Sequence, residues 1–281
     1  MKKYDILFES VSVIPFFVPR LGRDKYVMIH HLVDKYTLHE RLGALALVAG
    51  FIQNKLTPLV YRNIGILANS KGSKTELEKL GYRMCHLVSL GLDIPKSQVT
   101  FSKKENLAIC PGPLRPWKRI DHIIKAFSFS DNAWQLAIFG AFLSKDYEKM
   151  IRKLVEETGI GHRTTFLGYI TQEEKEHLYS ASKLCLIASR KEGWGLSAFE
   201  PQAYACLPLA YDVQGIRESV LDHETGILVK DGDLATYCKT IREITSNQQL
   251  IERLSNNCYS RSKGFSWDDS YANFKAILFN V

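Results

Sequence analysis

Short apolar segments alternate with helix-forming segments along almost the whole of this 281-residue chain. The apolar segments have strand length, and the intervening segments have the apolar spacing of amphipathic helices. The predicted strands are Tyr4–Ser10, Lys25–Leu32, Ile64–Ser70, Cys85–Leu90, Asn106–Cys110, Trp134–Gly140, Thr164–Gly168, Leu184–Ser189, Pro208–Asp212 and Gly226–Lys230. Because the intervening helices are long enough to be crossovers, the pattern predicts an α/β fold with parallel sheets and helices on both faces.

The chain is long enough for two domains of ordinary size. The alternation pauses at Leu92–Asn106, which is polar, basic and contains a proline, and it restarts at Asn106. This segment is the predicted domain boundary. The segment after Ser266, a residue able to cap a helix, is predicted to form the final helix.

The segment Leu42–Phe51 is strongly apolar, but it is too short to cross a membrane, so we expect it to be a buried helix. No apolar run of about 18 residues is evident, and no membrane-spanning helix is expected. The first ten residues have two lysines but no long apolar core, which is not typical of a signal peptide. A cytoplasmic location is therefore expected.

The six cysteines lie far apart without CxxC spacing, and most fall in apolar runs. They are expected to be small buried side chains in a reducing compartment. The formal net charge of +7 suits a phosphate-bearing ligand, an anionic membrane surface or nucleic acid. Scattered basic residues without interleaved aromatics argue against nucleic acid, whereas peripheral membrane contact stays compatible with the sequence.

In parallel α/β sheets, ligands bind beyond the carboxyl ends of the strands. The loop after the predicted strand Leu184–Ser189 reads RKEGWG and leads into a helix-forming run. Gly193 and Gly195 permit close backbone approach, and the first N–H groups of a helix are available to a ligand. Glu192 in the loop and Glu200 in the helix would then hold two hydroxyl-bearing groups joined through phosphate. Spacing alone is no less compatible with two solvated surface charges.

The segments EGWGLSAFE, AYDVQGIRESV and HETGILV resemble the donor-binding half of the family-four glycosyltransferases (glycosyl transferases group 1), which have the two-domain GT-B fold. GPLRPWKRIDHIIKAF, TTFLGYITQEEKEHLYSAS and FSW resemble further segments of that family in the same order. The first predicted domain resembles the second half of the family's acceptor domain. On this resemblance, residues 1–100 form a partial acceptor-side Rossmann-like domain, 101–265 bind the nucleotide sugar, and 266–281 form a helix that packs back on the first domain.

The resemblance also implies roles for individual residues. Glu192 would hydrogen-bond the donor sugar, Glu200 would hold the ribose hydroxyls, and Lys118 would neutralise the departing diphosphate. His30 would stand beside the donor sugar; His31 is a less close match. The remaining donor-binding positions are Gly112, Arg115, Tyr169 and Ile170, which line the diphosphate and the nucleobase, and the backbone of Gly193, Trp194, Gly195 and Leu196. Without the resemblance, the sequence favours a surface lysine at Lys118 and a core histidine at His30.

The sequence departs from the family pattern at several points. The family arginine after Gly112 is Pro113 here, and Arg115 is the candidate to replace its charge. A family glycine is replaced by Ala205, and the expected proline falls one position late, at Pro208. The family's first strand and its glycine-rich loop have no counterpart. We therefore expect a partner chain or self-association to cover the short first domain, unless the family's first half is dispensed with.

These observations lead to a retaining, metal-independent glycosyltransferase that moves a sugar from a nucleotide-diphospho-sugar to a glycan or lipid-linked acceptor, without a cofactor. The alternative is a non-catalytic nucleotide-sugar-binding subunit that acts with a partner chain. The carboxylates of Asp231 and Asp233 follow a strand and precede a helix, so Asp233 is predicted to be an N-cap instead of a metal ligand.

Overall fold

The computed structural model describes residues 7–11, 15–16, 26–30, 38–39, 42–95 and 99–280. The described strands are β1 Leu7–Val11, β2 Tyr26–His30, β3 Gly65–Ala68, β4 Met84–Leu87, β5 Glu105–Pro111, β6 Gln135–Phe139, β7 Thr164–Gly168, β8 Ser182–Ile187, β9 Leu207–Asp212 and β10 Ile227–Lys230. The described helices are α1 Gly43–Val60, α2 Lys71–Leu80, α3 Ile120–Phe127, α4 Lys145–Glu157, α5 Gln172–Ala181, α6 Leu196–Phe199, α7 Gln214–Ser219, α8 Leu234–Thr245, α9 Gln248–Ser262 and α10 Trp267–Asn280. Each predicted strand overlaps one of these strands, so the predicted α/β alternation is confirmed.

The chain divides into two compact units. Residues 1–91 together with 267–281 form unit 1, and residues 92–266 form unit 2. Each unit contains one sheet in which every described pair of strands is parallel.

The sheet of unit 1 has the order β1-β2-β3-β4. Its core cluster includes Val11, Ile66 and Leu77, which come from two strands and from α2. The hydroxyl of Tyr61 donates a buried hydrogen bond of 2.8 Å to Glu9 Oε2, so this buried carboxylate has a partner. The final helix α10 belongs to the same unit, where Phe274 stacks on Phe8 with ring centroids 5.8 Å apart.

Helix α1 corrects two expectations from the sequence. The segment Leu42–Phe51 was expected to be buried, yet Leu45, Leu47, Val48 and Phe51 are exposed and only Ala49 is buried. The helix also continues past Phe51 to Val60, and over Gly43–Val60 its mean hydropathy is 1.2, which makes it long and apolar enough to cross a bilayer by length and composition alone. The reason is that Lys55 is the only charged residue in this stretch.

The sheet of unit 2 has the order β10-β9-β8-β5-β6-β7. The chain proceeds outward from β5 through β6 to β7, and then returns to β8 and proceeds outward on the other side. The point at which the strand order reverses therefore lies between β5 and β8, where Ala108 pairs with Leu184 and Ile109 with Cys185. In open parallel sheets the loops beyond this reversal point form the ligand-binding crevice.

Buried aromatic residues with satisfied polar atoms fix the core of unit 2. Trp134 is fully buried, and its Nε1 donates to the carbonyl of Thr245 at 3.0 Å. The hydroxyl of Tyr237 donates to the carbonyl of Leu209 at 2.8 Å. The side chain of Asp233 accepts from the N–H of Thr236, which confirms Asp233 as the N-cap of α8.

The six cysteines are free thiols, and all except Cys238 are buried. Burial raises the pKa of Cys110 and of Cys206 to about 12. Because the thiolate is the reactive form, these side chains act as small apolar core residues.

A buried lysine connects α5 to β8. Lys104 Nζ donates to the carbonyls of Tyr179, Ser180 and Ser182 at 2.9, 3.0 and 2.7 Å. The last carbonyls of a helix have no intrahelical partner, so the Lys104 ammonium stabilises the carboxyl end of α5. Burial lowers the pKa of Lys104 to about 8.

Replacing Lys104 with Met is expected to lower the free energy of unfolding by about 3 kcal/mol, because it leaves buried carbonyls without a donor. Urea unfolding measures this change. The neighbouring Lys103 is exposed, so Lys103→Met provides a matched control with a change below ~0.5 kcal/mol. Equal stabilities of the two variants would contradict this role of Lys104.

Candidate functional site

The loops that follow β5 and β8 meet at the point where the strand order of unit 2 reverses. A 3-10 turn, Pro116–Lys118, ends the first loop, and its Lys118 Nζ lies 2.6 Å from Glu192 Oε1 in the second. The exposed fraction of the side chain is 7% for Lys118 and 13% for Glu192. The N–H of Arg190 donates to the carbonyl of Trp117 at 3.0 Å, which joins the same two loops through their backbones. The structure therefore brings two of the predicted site residues into direct contact.

Gly112 allows the β5 loop to lie tightly against the next strand. Its N–H donates to the carbonyl of Phe139 at 2.7 Å, and a Cβ at this position would lie 2.8 Å from that carbonyl oxygen. Any larger residue would push the loop away from β6. Arg115 precedes the 3-10 turn, its carbonyl accepts from the N–H of Lys118 at 2.9 Å, and its side chain is half-buried. Among the described residues, Arg115 Nε has no hydrogen-bond partner although it is buried.

The turn from Glu192 to Leu196 leads directly into helix α6. Gly195 has φ of 77° and its carbonyl accepts from the N–H groups of Ala198 and Phe199, so a glycine is favoured at this helix start. Trp194 is buried and packs edge-on against Phe199, with ring centroids 5.6 Å apart. The buried Trp194 side chain thus holds the turn against α6, and the backbone of Trp194 forms part of the loop that carries Glu192.

Helix α6 continues as a 3-10 helix, Glu200–Tyr204, which ends at Ala205 with φ of 53°. A positive φ favours glycine, which gives a physical reason for the family glycine at this position. Alanine adopts this conformation at a cost of roughly 1 kcal/mol. The departure at Ala205 therefore leaves the path of the chain intact.

The carboxylate of Glu200 contacts two side chains of α5 that the sequence reasoning did not single out. Lys175 Nζ lies 2.9 Å from Glu200 Oε2, and the hydroxyl of Tyr179 donates to the same oxygen at 3.1 Å. Both contacts fall on Oε2, so among the described residues Oε1 has no partner and remains available to a ligand. The spacing of four residues on α5 puts Lys175 and Tyr179 on one face of the helix, but only the fold brings Glu200 to that face.

The other predicted residues occupy different positions. Tyr169 and Ile170 follow β7, two strands from β5; Tyr169 is 87% exposed and Ile170 is half-buried. His30 is the last residue of β2; its side chain, like the whole of His31, lies outside the described residues. The described part of the chain contains no group of three His, Cys, Asp or Glu side chains that could hold a metal ion.

Gly215, in the first turn of α7, supports the loop that carries Glu192. A Cβ at Gly215 would lie 2.3 Å from the carbonyl oxygen of Glu192 and 2.9 Å from the carbonyl carbon of Gly193. These distances are far below van der Waals contact, so only glycine permits the present position of the loop. The sequence shows a glycine shortly after β9, but only the fold brings it against the Glu192 loop.

We expect Gly215→Ala to displace the Glu192 loop and to lower the free energy of unfolding by about 1–3 kcal/mol through overpacking. Thermal unfolding measures this loss. Gly50→Ala is the matched control, because a Cβ at Gly50 would meet only Leu38 Cδ1 at an ordinary 3.8 Å. A Gly215→Ala protein as stable as the wild type would contradict the close contact.

The chain is similar in sequence to a family of known proteins. Residues 94–261 match the family model described as glycosyl transferases group 1, which covers more than half of the chain. The D-inositol 3-phosphate glycosyltransferase of Nocardia farcinica is 32% identical over 179 residues, which are 61% of this chain and 40% of the relative. The corresponding protein of Gordonia bronchialis is 26% identical over 67% of this chain and 41% of its own length. This chain thus matches about two fifths of the length of these relatives.

Solved structures share the fold at lower identity. Anabaena HepE, solved in complex with UDP and glucose, has a TM-score of 0.75 and 17% identity, covering 91% of this chain and 78% of its own. Sucrose-phosphate synthase from Thermosynechococcus elongatus has a TM-score of 0.77 and 18% identity, covering 97% of this chain and 73% of its own. The α/β architecture with two parallel sheets is accordingly that of the GT-B glycosyltransferases.

Proposed function

Since the chain belongs to the glycosyl transferases group 1 family, we propose that it transfers a sugar, with retention of configuration, from a nucleotide-diphospho-sugar to an acceptor hydroxyl. The observation that carries the proposal is the contact between Lys118 and Glu192 at the reversal point of the unit 2 sheet. A mostly buried cation and carboxylate at the ligand-binding end of a parallel sheet match the charges of a diphosphate and the hydroxyls of a sugar.

The donor would occupy the loops after β5 and β8. Lys118 would contact the diphosphate, and the half-buried Arg115, with Nε unpartnered among the described residues, would add a second cation. Glu192 would accept hydrogen bonds from the sugar hydroxyls, and the N–H groups from Gly193 through Trp194 and Gly195 to Leu196 would contact the sugar or the diphosphate. Gly112 would keep the β5 loop close to the phosphates.

The nucleoside would extend toward α5. Glu200 would accept from the ribose hydroxyls through Oε1, while Lys175 and Tyr179 hold Oε2. The loop at Tyr169 and Ile170 immediately precedes α5 and would line the nucleobase. In this proposal, phosphate, ribose and base lie in that order from the loops after β5 and β8 toward the loop after β7.

The proposed reaction is a same-face displacement. The bond between the anomeric carbon and the diphosphate oxygen breaks, the acceptor oxygen bonds to that carbon from the same face, and the acceptor proton passes to the leaving phosphate. Negative charge therefore develops on the diphosphate, where Lys118 stabilises the transition state. No carboxylate forms a covalent intermediate, and the products are a glycoside and a nucleoside diphosphate.

The acceptor is proposed to be a glycan or lipid-linked glycan. The proposal is tested with the purified chain by a thermal-shift screen of nucleoside diphosphates and their sugars, followed by turnover of each stabilising donor. A ligand at a hundred times its Kd is expected to stabilise the fold by about 2.7 kcal/mol. Stabilisation with turnover supports the enzyme, whereas stabilisation without turnover on any acceptor favours a nucleotide-sugar-binding subunit. If no nucleotide stabilises the fold, both are wrong.

A further inference from the structure

Helix α1 of unit 1 presents an apolar stripe to solvent. Leu47, Phe51 and Leu59 are 85%, 63% and 73% exposed, and with the exposed Lys55 they form a row of residues four apart on one face. Val48 and Leu45, on the adjoining surface, are also exposed. Large contiguous apolar patches on a soluble surface mark interaction sites. We use the name α1 face for the exposed side of α1 between Leu45 and Leu59 together with the groove beside Leu59.

The opposite side of α1 packs into unit 1. Ala49, Gln53 and Thr57, again four residues apart, are buried, and Val60 and Tyr61 at the end of the helix join the core of the unit. A helix that crossed a bilayer would have to withdraw this side from the protein. The helix therefore lies along the surface of the unit, with one side bound to the fold and the other unpartnered among the described residues.

The charged side chains of α1 and of the groove beside it are positive. The sequence from Arg41 to Thr75 contains no aspartate or glutamate, but it contains Lys55 and Arg62 close to the stripe. Beside Leu59 lies a groove of about 400 Å³ that is lined by Lys55, Arg62 and Lys79 and by no carboxylate. All three cations are exposed, and among the described residues none has an ion-pair partner.

The groove lies away from the carboxyl ends of the strands, beyond which ligands bind in parallel α/β sheets. Arg62 lies between α1 and β3, and Gly81, which also lines the groove, lies between α2 and β4. The groove is thus at the amino ends of these parallel strands, opposite the carboxyl ends that form substrate sites. The groove is therefore outside the loops at which substrates bind in parallel α/β sheets.

We propose that the α1 face docks on an anionic lipid bilayer, with the apolar stripe entering the acyl boundary and the groove holding a headgroup phosphate. An exposed apolar stripe flanked by lysine and arginine is the pattern of helices that lie in the membrane interface. The charge favours lipid over a second copy of the chain, because two copies of this face would bring together the cations of the groove without a carboxylate to pair with them. This inference does not depend on the proposed sugar transfer.

The test is co-sedimentation of the purified chain with vesicles of phosphatidylcholine alone or mixed with phosphatidylglycerol. The wild type is expected to bind the mixed vesicles, to bind neutral vesicles at least ten-fold more weakly, and to lose affinity as salt rises. Lys55→Gln/Arg62→Gln is expected to weaken binding to mixed vesicles about 25-fold, since each neutralised cation near the surface accounts for about five-fold. Leu47→Ser/Phe51→Ser is expected to weaken it about ten-fold or more.

The matched control is Leu143→Ser/Lys149→Glu, an exposed leucine and an exposed lysine of unit 2, which should bind like the wild type. Unchanged thermal unfolding shows that each variant is folded. The proposal is overturned if the wild type binds neither vesicle, if the control loses as much affinity as the α1 variants, or if Leu47→Ser/Phe51→Ser converts a dimer to a monomer, in which case the face serves a second copy.

Discussion

Replacing Lys118 with Met is expected to lower kcat at saturating donor by about 10²–10³-fold, the typical effect of removing one group that stabilises developing charge. Lys118 is buried against Trp117 and Glu192, so few other cations can take its place at the diphosphate.

Glu192→Gln is expected to reduce kcat/KM by a similar factor, because a neutral amide accepts weaker hydrogen bonds from the sugar than a carboxylate does. Initial rates over a range of donor concentration measure both effects.

Stability must be separated from catalysis in this test, because each single change leaves the other member of the pair without its partner. We expect Lys118→Met and Glu192→Gln each to lower the free energy of unfolding by roughly 1–3 kcal/mol. The double variant Lys118→Met/Glu192→Leu removes both charges, and it should recover part of this stability while transfer remains lost. Lys149→Met, on the exposed side of α4, is the matched control with unchanged rate. A Lys118→Met protein that is folded and as fast as the wild type would contradict the assigned role.

Removing the ribose hydroxyls from the ligand is expected to have the second large effect. A 2′,3′-dideoxy nucleoside diphosphate should bind the wild type about 10- to 100-fold more weakly than the ribose form, since charge-assisted hydrogen bonds to Glu200 contribute roughly 1.5–3 kcal/mol. In Glu200→Ala the ribose form should weaken by a similar factor, and the difference between the two ligands should disappear. Isothermal titration calorimetry gives all four dissociation constants.

The control for this cycle is Glu173→Ala, which removes an exposed carboxylate from the first turn of α5 and should keep the full discrimination between the two ligands. Discrimination that persists undiminished in Glu200→Ala would show that another group holds the ribose. The cycle compares the same protein with two ligands, so a general loss of stability in the variant does not alter its outcome.

The alternation of strands and helices was accessible from the sequence because each apolar segment carries its own periodicity and length. The sequence was a poor guide to burial for Leu42–Phe51, where apolar composition predicted a buried helix. Leu47 and Phe51 are apolar yet exposed, because burial depends on which side of a helix meets the sheet and not on composition alone. Because α1 is apolar at most positions, its sequence has little periodicity that could predict which side packs against the sheet.

For the candidate site, the sequence could predict some residues but not their contacts. Glu192, Glu200 and Lys118 lie in motifs with a recognisable local order, so the sequence could nominate them. Their partners could not be nominated, because the contact of Glu200 with Lys175 spans 25 residues and that of Lys118 with Glu192 spans 74. Gly215 is a third case, since its requirement for glycine comes from the approach of another loop and not from its own backbone conformation.

Sugar transfer by this chain requires the two carboxylates to hold different parts of one donor. The most direct measurement is a crystal structure of this chain with a nucleotide-diphospho-sugar that stabilises the fold. We expect a Glu200 oxygen about 2.7–3.2 Å from a ribose hydroxyl, a Glu192 oxygen within the same distance of a sugar hydroxyl, and Lys118 Nζ beside the diphosphate. A donor bound elsewhere, or one bound here with both carboxylates beyond hydrogen-bond distance, would contradict the central claim.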